Sequence, residues 1–348
     1  MTNTTELHSI PPQHYSLCSS EANSLAELLV IFSLQCFINP GLSIIGFITN
    51  MLSLAILHRS GLHKPSNILL FGLVIADSWC LFTTMNFAMI LNFFGPNKYF
   101  KMLCGFQYEE TVNLFLAYSE EVFFFLGYWG RYVNTLIPIF ITLERNLAVF
   151  KPMTFKAIVK KQAAITVVVL SFVFWLPWTL FYSALTEIIN WSLTDEITWT
   201  TVIQNLFFYE NMEIITFFEI YVVDCLVSWI PLSVISIGCC VLGIKVKLTL
   251  LKRRRFNSAK KLMWSPRTTL TLMTTCFVFT TTHAVASLIQ YLAPCDIYVH
   301  VLMRNYFVYF FYALNASSNF FVYIATNEKL FHIFLQMFCV KYKKKQKA

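Results

Sequence analysis

Between Val122 and Leu143 the chain reads VFFFLGYWGRYVNTLIPIFITL, with Arg131 as its one charge. A helix needs about 20 apolar residues to cross the ~30 Å hydrocarbon core of a bilayer. Inside hydrocarbon a backbone must satisfy its own hydrogen bonds, which leaves only helices or a closed barrel. Six more such runs occur, about Leu28–Leu57, Ser66–Asn92, Ala163–Leu185, Ile214–Ile244, Thr268–Leu292 and Val299–Ala325. Barrel strands would be short and alternating, whereas these runs are long and continuous. The predicted fold is therefore an all-α membrane protein, a seven-transmembrane helix bundle. A chain of 348 residues could be two soluble domains, but 57% hydrophobic residues and 35 Phe describe lipid-facing helices.

Charge orients the bundle. The turn after span 1 holds Arg59 and Lys64, and the loop after span 3 holds Lys151, Lys156, Lys160 and Lys161. The loop from Lys245 to Arg267 is basic with no acid, and the chain closes on KYKKKQKA. The loop Thr186–Glu213 is acidic, with Glu187, Asp195, Glu196, Glu210 and Glu213 and no basic residue. The positive-inside rule then predicts a multi-pass plasma-membrane protein with its N-terminus extracellular and its C-terminus cytoplasmic. The formal charge of +8 belongs to these loops, so no nucleic-acid partner is expected. Residues 1–24 are polar and lead straight into a full span, so no cleavable signal peptide is predicted.

The organisation read from this is an extracellular tail at 1–27, the bundle at 28–325, and an interfacial helix with a cytoplasmic tail at 326–348. Within NEKLFHIFLQMF (Asn327–Phe338) the apolar residues recur at helical spacing, as in an amphipathic helix lying in the interface. Cys339 beside the basic tail is a palmitoylation candidate. Asn3 and Asn190 open acceptable glycosylation sequons on the outer side, whereas Asn315-Ala-Ser lies within span 7. Most of the ten Cys fall inside spans, without metal-ligand spacing, so no metal site is predicted from them. The extracellular disulfide candidates are Cys18, Cys104 and Cys295.

Polar residues inside the spans are costly and so become functional candidates. Asp77 sits deep in span 2 in LVIADSW, and Asn50, Asn134, Asn315 and Asn319 occupy spans 1, 3 and 7. Span 3 carries Arg131 and closes on Glu144-Arg145, while Asp224 and His283 lie in spans 5 and 6.

One signature falls in each of six spans, in order: Asn50 after Gly46, Asp77, Glu144-Arg145, Trp175, Pro231, and LNASSNFFVY with Asn319 and Tyr323. The series resembles that of the rhodopsin-like G-protein-coupled receptors in a divergent form, similar to invertebrate chemosensory and FMRFamide-type peptide receptors. The resemblance implies a bundle that binds an extracellular small chemosensory molecule or short peptide and activates a heterotrimeric G protein. It assigns Glu144, Arg145, Asn319 and Tyr323 to the switch. It gathers Asn50, Asp77, Asn134, Asn315 and Asn319 into a polar core that holds either a sodium ion or a water network. No organic cofactor is implied, and no HExxH, GxSxG or phosphate-binding glycine loop occurs, so no enzyme is expected.

The chain departs from the family pattern at several places. Span 6 reads FVFTTTHAV without the usual Cys, Trp and Pro; Cys239 replaces the inner tyrosine of span 5, and Phe320 replaces the proline of span 7. The aspartate of amine receptors falls on Gly127, which argues against an amine ligand. Cys104 would lie about 60 Å of helix above Arg145, so a long outer loop with a short interfacial helix is expected there. No Cys lies between Tyr182 and Asp224, so the family's disulfide to the second outer loop is expected to be absent. Cys18–Cys104 and Cys104–Cys295 remain as pairings.

Arg131 lies about 21 Å outward of Arg145. It either forms a structural salt bridge with Asp224 or binds an acidic or carbonyl group of a ligand, with Tyr128, Tyr132, Asp224 and His283 lining the site. The rival architecture is a small multi-span transporter or channel, which would show pseudo-symmetric halves. A central third helix with Arg145 at its inner end separates the receptor from it.

Overall fold

A computed structural model describes residues 25–85, 109–194, 197–256, 266–292 and 298–338. Helix α1 comprises Leu25–Ser33 and Asn39–Ser60, joined by a π-helical turn at Leu34–Ile38. Pro40 follows that turn, and a proline deprives the carbonyl one turn back of its donor, which local rewinding accommodates. Helix α2 is Pro65–Cys80, closed by a 3-10 turn at Leu81–Thr83; α3 is Glu110–Phe150 and α4 Lys161–Ser183. Helix α5 starts at Met212–Phe218, passes through π-helical turns at Glu219–Val223 and Cys225–Trp229, and continues as Ile230–Phe256. Helices α6 (Pro266–Leu292), α7 (Tyr298–Thr326) and α8 (Glu328–Phe338) complete the series. Short helices Pro152–Ile158 and Leu206–Glu210 flank α4 and its following loop.

The helices form a closed ring. Neighbouring contacts run α1–α2, α2–α4, α4–α5 (Trp178 on Phe218 at 5.1 Å), α5–α6, α6–α7 and α7–α1, while α3 touches α2, α4, α5 and α6 at once and so stands at the centre. Among the described residues, α1–α5 and α7 have the length and hydropathy of membrane spans. Helix α6 is less apolar because of its threonines, but the hydroxyls of Thr281 and Thr282 are satisfied within the helix. Thr281 donates to the Phe277 carbonyl at 2.9 Å and Thr282 to that of Val278 at 2.8 Å. Such back-bonding makes a threonine tolerable in hydrocarbon. Helix α8 lays Leu330, Ile333, Phe334 and Met337 on Phe320 and Tyr323 of α7, the amphipathic docking its spacing predicts.

Two features correct the sequence reading. The loop after α4 opens with a β-hairpin that the sequence reading did not distinguish, with β1 (Thr186–Thr194) antiparallel to β2 (Ile197–Gln204) and Thr186 opposite Gln204. Its run of Ile, Val, Thr and Trp favours a pleated strand, a local preference that the search for apolar spans passes over. And α3 begins at Glu110, so residues 110–119, read as part of the outer loop, are instead helix continuous with span 3, while the interfacial helix expected earlier in that loop lies outside the described residues. Neither Gly nor Pro interrupts Glu110–Leu126, so nothing stops the helix at the bilayer boundary. At 41 residues it is about 60 Å long. Its N-terminal end packs Leu116 and Ala117 under Ile188 and Val202 of the hairpin, and the Thr186 hydroxyl donates to Glu121 at 2.9 Å.

Candidate functional site

Three polar groups are strung along α3. At one end, the Glu144 side chain is 4% exposed and that of Arg145 15%, with Nε of Arg145 3.2 Å from Oε2 of Glu144. The other carboxylate oxygen accepts from Ser66 of α2 at 2.8 Å. The next residue, Asn146, donates its amide to the Gly238 carbonyl of α5 at 3.2 Å, and about one turn back along α3 the Thr142 hydroxyl touches Cys276 of α6 at 3.6 Å. The acid–base pair therefore sits where α2, α5 and α6 all reach α3. Among these residues Ser66 escaped the sequence reading: a serine in the first turn of a helix looks like an ordinary helix start.

Midway along the bundle the predicted polar core assembles. Asp77 is fully buried and accepts from the Asn319 amide of α7 at 2.6 Å. Asn50 donates to the Ala316 carbonyl at 3.2 Å, tying α1 to α7. Asn134, Asn315 and Asn319 share the wall of one small cavity of about 10 Å³ with Pro138, Thr275 and Cys276. The Oδ1 atoms of Asn50, Asp77, Asn134 and Asn319 are all buried and face no hydrogen-bond donor among the described residues. Tyr323, predicted as part of the switch, is buried beside α8 with its hydroxyl likewise unpartnered.

Beyond the core along α3 lies Arg131, for which the structure excludes one of the two readings, the salt bridge. Its Nη2 donates to the Tyr312 hydroxyl of α7 at 3.1 Å, and its Cζ stands 4.1 Å from the Tyr312 ring centroid. Asp224 turns instead to α6, where Oδ2 accepts from Tyr291 at 3.2 Å and Gln290 at 3.4 Å. The salt bridge between Arg131 and Asp224 does not form: the guanidinium is drawn to the π face of Tyr312, and the carboxylate finds neutral donors. No carboxylate of the described residues lies within 4.0 Å of the Arg131 guanidinium, and its Nε is buried without an acceptor.

Aromatic rings wall this group. Tyr128 shares a hydroxyl contact of 3.0 Å with Tyr309 of α7, lies 5.7 Å from Tyr182 and stacks on Tyr132, which stacks on Trp175 at 5.0 Å. His283 is buried between Phe279 at 4.0 Å and Tyr312 at 5.0 Å, so it braces Tyr312 from behind rather than lining open space. Tyr309 and Tyr312 were missed in the sequence. The signal available was the recurrence of tyrosine at every third position from Tyr306 in α7.

Gly127, the position of the amine receptors' aspartate, is filled by α2: a Cβ there would meet the Thr83 hydroxyl and the Thr83 amide. Asn190 lies in β1 opposite Thr200. Asn3, Cys18, Cys104, Cys295 and Cys339 fall outside the described residues.

The ring closed by α1 and α7, with α3 at its centre and Arg145 at the end of α3, is the arrangement that separates a receptor from a transporter of paired halves. A comparison with curated proteins gives no match. The model of the family described as serpentine type 7TM GPCR chemoreceptor Srw matches residues 37–341, from the π-helical turn of α1 past the end of α8. The chain belongs to this Srw family of serpentine seven-transmembrane chemoreceptors.

Proposed function

We propose that this chemoreceptor takes a small extracellular ligand, a chemosensory molecule or the end of a short peptide, among α3, α5, α6 and α7. It hands the signal to a heterotrimeric G protein at the end that carries Glu144 and Arg145. The loop charges support an extracellular N-terminus and a cytoplasmic C-terminus in the plasma membrane. One observation carries the reading: Arg131 is a half-buried guanidinium, its Nε fully enclosed, with a tyrosine on one side and no carboxylate of the described residues in contact. A charge inside a bundle without a counter-ion is costly, and an anionic group arriving from outside relieves that cost. A ligand acid or carbonyl is the group that fits.

The test is Arg131→Gln, expressed on cells and exposed to a panel of small organic acids in a G-protein dissociation assay. The variant is expected to reach the surface as wild type does, and the empty purified receptor to melt at an equal or higher temperature, because an uncompensated buried charge has been removed. The response to the active acid should fall about 10- to 100-fold, the range of a charge-assisted hydrogen bond of roughly 1.5–3 kcal/mol. A full response from the variant would reject the assignment.

The polar core supports a second element of the proposal, a sodium ion held near Asp77. Asp77 supplies the charge, and the unpartnered Oδ1 atoms of Asn50, Asn134 and Asn319 are hard oxygen donors of the type such an ion takes. The cavity beside them is about the size of one water, ~10–15 Å³. Sodium chloride should raise the melting temperature of the purified receptor above that in choline chloride, and Asp77→Asn should erase the difference. Equal melting of wild type in the two salts would leave a water network in its place.

A further inference from the structure

The ligand site has a second charged pole on α5 that its sequence disguises. Pro231 has no amide hydrogen, so the carbonyl of Val227 loses its usual donor, and the helix outward of it winds as two successive π-helical turns. In the outer of these the Asp224 amide hydrogen bonds the Glu219 carbonyl. Residues five apart stand about 500° apart on an α-helix, on different faces. With i→i+5 winding they come nearly into line. Glu219 and Asp224 are therefore brought to one side of α5. Both are half-buried, while Phe217, Phe218, Ile220 and Tyr221 between and beside them face outward.

Glu219 makes no hydrogen bond or ion pair with the described residues, and Asp224 is held only by the neutral donors of Tyr291 and Gln290. Val223, next to Asp224, and Val227 pack in one cluster with Tyr132 and Trp175, against which Tyr128 and Trp178 also lie, so this stretch of α5 borders the rings around Arg131. Two acids and one base are thus carried by helices that meet in one aromatic cluster, and no ion pair joins them among the described residues. Charges of opposite sign held apart in a bundle interior are unsatisfied on both sides. A molecule carrying both signs satisfies both.

We propose that Glu219 and Asp224 receive an ammonium or guanidinium group while Arg131 takes a carboxylate, so that the ligand is a dipolar ion. This rests on the reading of the Arg131 site as the ligand site. It also fits the loss of the amine position at Gly127: the cationic subsite has moved from α3 to α5, and it works only together with the anionic one. The same pair of charges is found in a free amino acid and at the end of a peptide finishing in lysine.

The experiment uses the full-length receptor in lipid nanodiscs. The probes are the ω-amino acids from glycine to 6-aminohexanoate, the alkyl carboxylates and alkylamines of the same lengths, and Ala-Ala-Ala-Lys with a free or amidated C-terminus. Thermal shift and G-protein activation are both read. One dipolar probe is expected to bind about tenfold or more tightly than its carboxylate and amine counterparts. In the double variant Glu219→Gln, Asp224→Asn it should drop to the carboxylate's level, and in Glu219→Asp it should keep part of its advantage. Preference for the free-acid tetrapeptide assigns the site to a peptide end, and preference for an ω-amino acid to a free metabolite; either supports the proposal. It is overturned if the carboxylate alone binds as well at every length, if the preference survives the double variant, or if no probe binds. Should it fail while Glu144→Gln still raises basal G-protein turnover, only the ligand class falls and the receptor reading stands.

Discussion

Replacing Glu144 by Gln is expected to raise basal G-protein turnover about 5- to 10-fold, and replacing Arg145 by Ala to abolish coupling at unchanged surface density. The two residues share a nearly dry site, with Arg145 3.2 Å from a carboxylate that Ser66 of α2 also holds at 2.8 Å. Breaking a buried pair by removing one partner costs about 3–5 kcal/mol in the state that contains the pair. It costs nothing in a state where Arg145 has already turned away. The substitution therefore penalises the resting conformation selectively, and a fraction of that energy suffices, since about 1.4 kcal/mol is a tenfold change in population. Glutamine keeps the shape and an acceptor for Ser66, so the effect isolates the charge. Ser66→Ala should move basal activity in the same direction by less, because it loosens the carboxylate without removing it. On the proposed reading, Arg145→Ala instead deletes the group that the released state would offer to the G protein. Matched surface expression followed by a G-protein dissociation assay reads all three. Wild-type signalling from Arg145→Ala would sink the switch.

What the sequence made legible, and what it hid, follows from the kind of signal each feature leaves. Apolar length is a local property, so the seven spans and the docked α8 could be read directly, as could the depth of Asp77 and the asparagines around it. The polar core follows because several amides at one depth have few places to go other than each other, as the 2.6 Å contact between Asn319 and Asp77 shows. Azimuth is different. Depth placed Arg131 and Asp224 level with one another but could not say that Arg131 faces Tyr312 of α7 while Asp224 faces Tyr291 of α6. Glu219 was hidden for the same reason: at 100° per residue it would belong to another face, and only the π-helical turns bring it in line with Asp224. The hairpin was hidden by the search for long spans, although its β-branched and aromatic run was in plain view. The outward extension of α3 was hidden because hydropathy marks where a membrane ends, not where a helix does.

The other large effect concerns the contact between α2 and α3. Gly130→Ala is expected to lower surface expression several-fold, and Gly130→Leu to leave almost no folded receptor. Gly127 and Gly130 stand one turn apart on the face of α3 that meets α2. A Cβ at Gly130 would press on the Cys80 amide, lie 2.6 Å from the Trp79 Cβ and 2.7 Å from the Ala76 carbonyl oxygen. Small residues of this kind let helix backbones approach closely in a membrane. Side chains can swing away from an added methyl group, but here the obstacles are backbone atoms. The two helices also have no slack. Trp79 of α2 packs on Trp129 of α3 at 4.9 Å and on Phe172 of α4 at 5.2 Å, and the Trp129 indole donates to the Phe172 carbonyl at 2.9 Å. Adding a methylene to a tight core costs about 1–3 kcal/mol where side chains can adjust, and more is expected where they cannot. Gly41 of α1 supplies the control, since a Cβ there meets nothing within 4 Å. Alanine in a helix is better than glycine by up to about 1 kcal/mol, so Gly41→Ala should be neutral or slightly stabilising. The same chemical change is thus expected to act with opposite sign at two positions. Thermal melting of the purified variants beside wild type reads the difference, and a Gly130→Ala receptor as stable as Gly41→Ala would mean that α2 and α3 are not packed backbone to backbone.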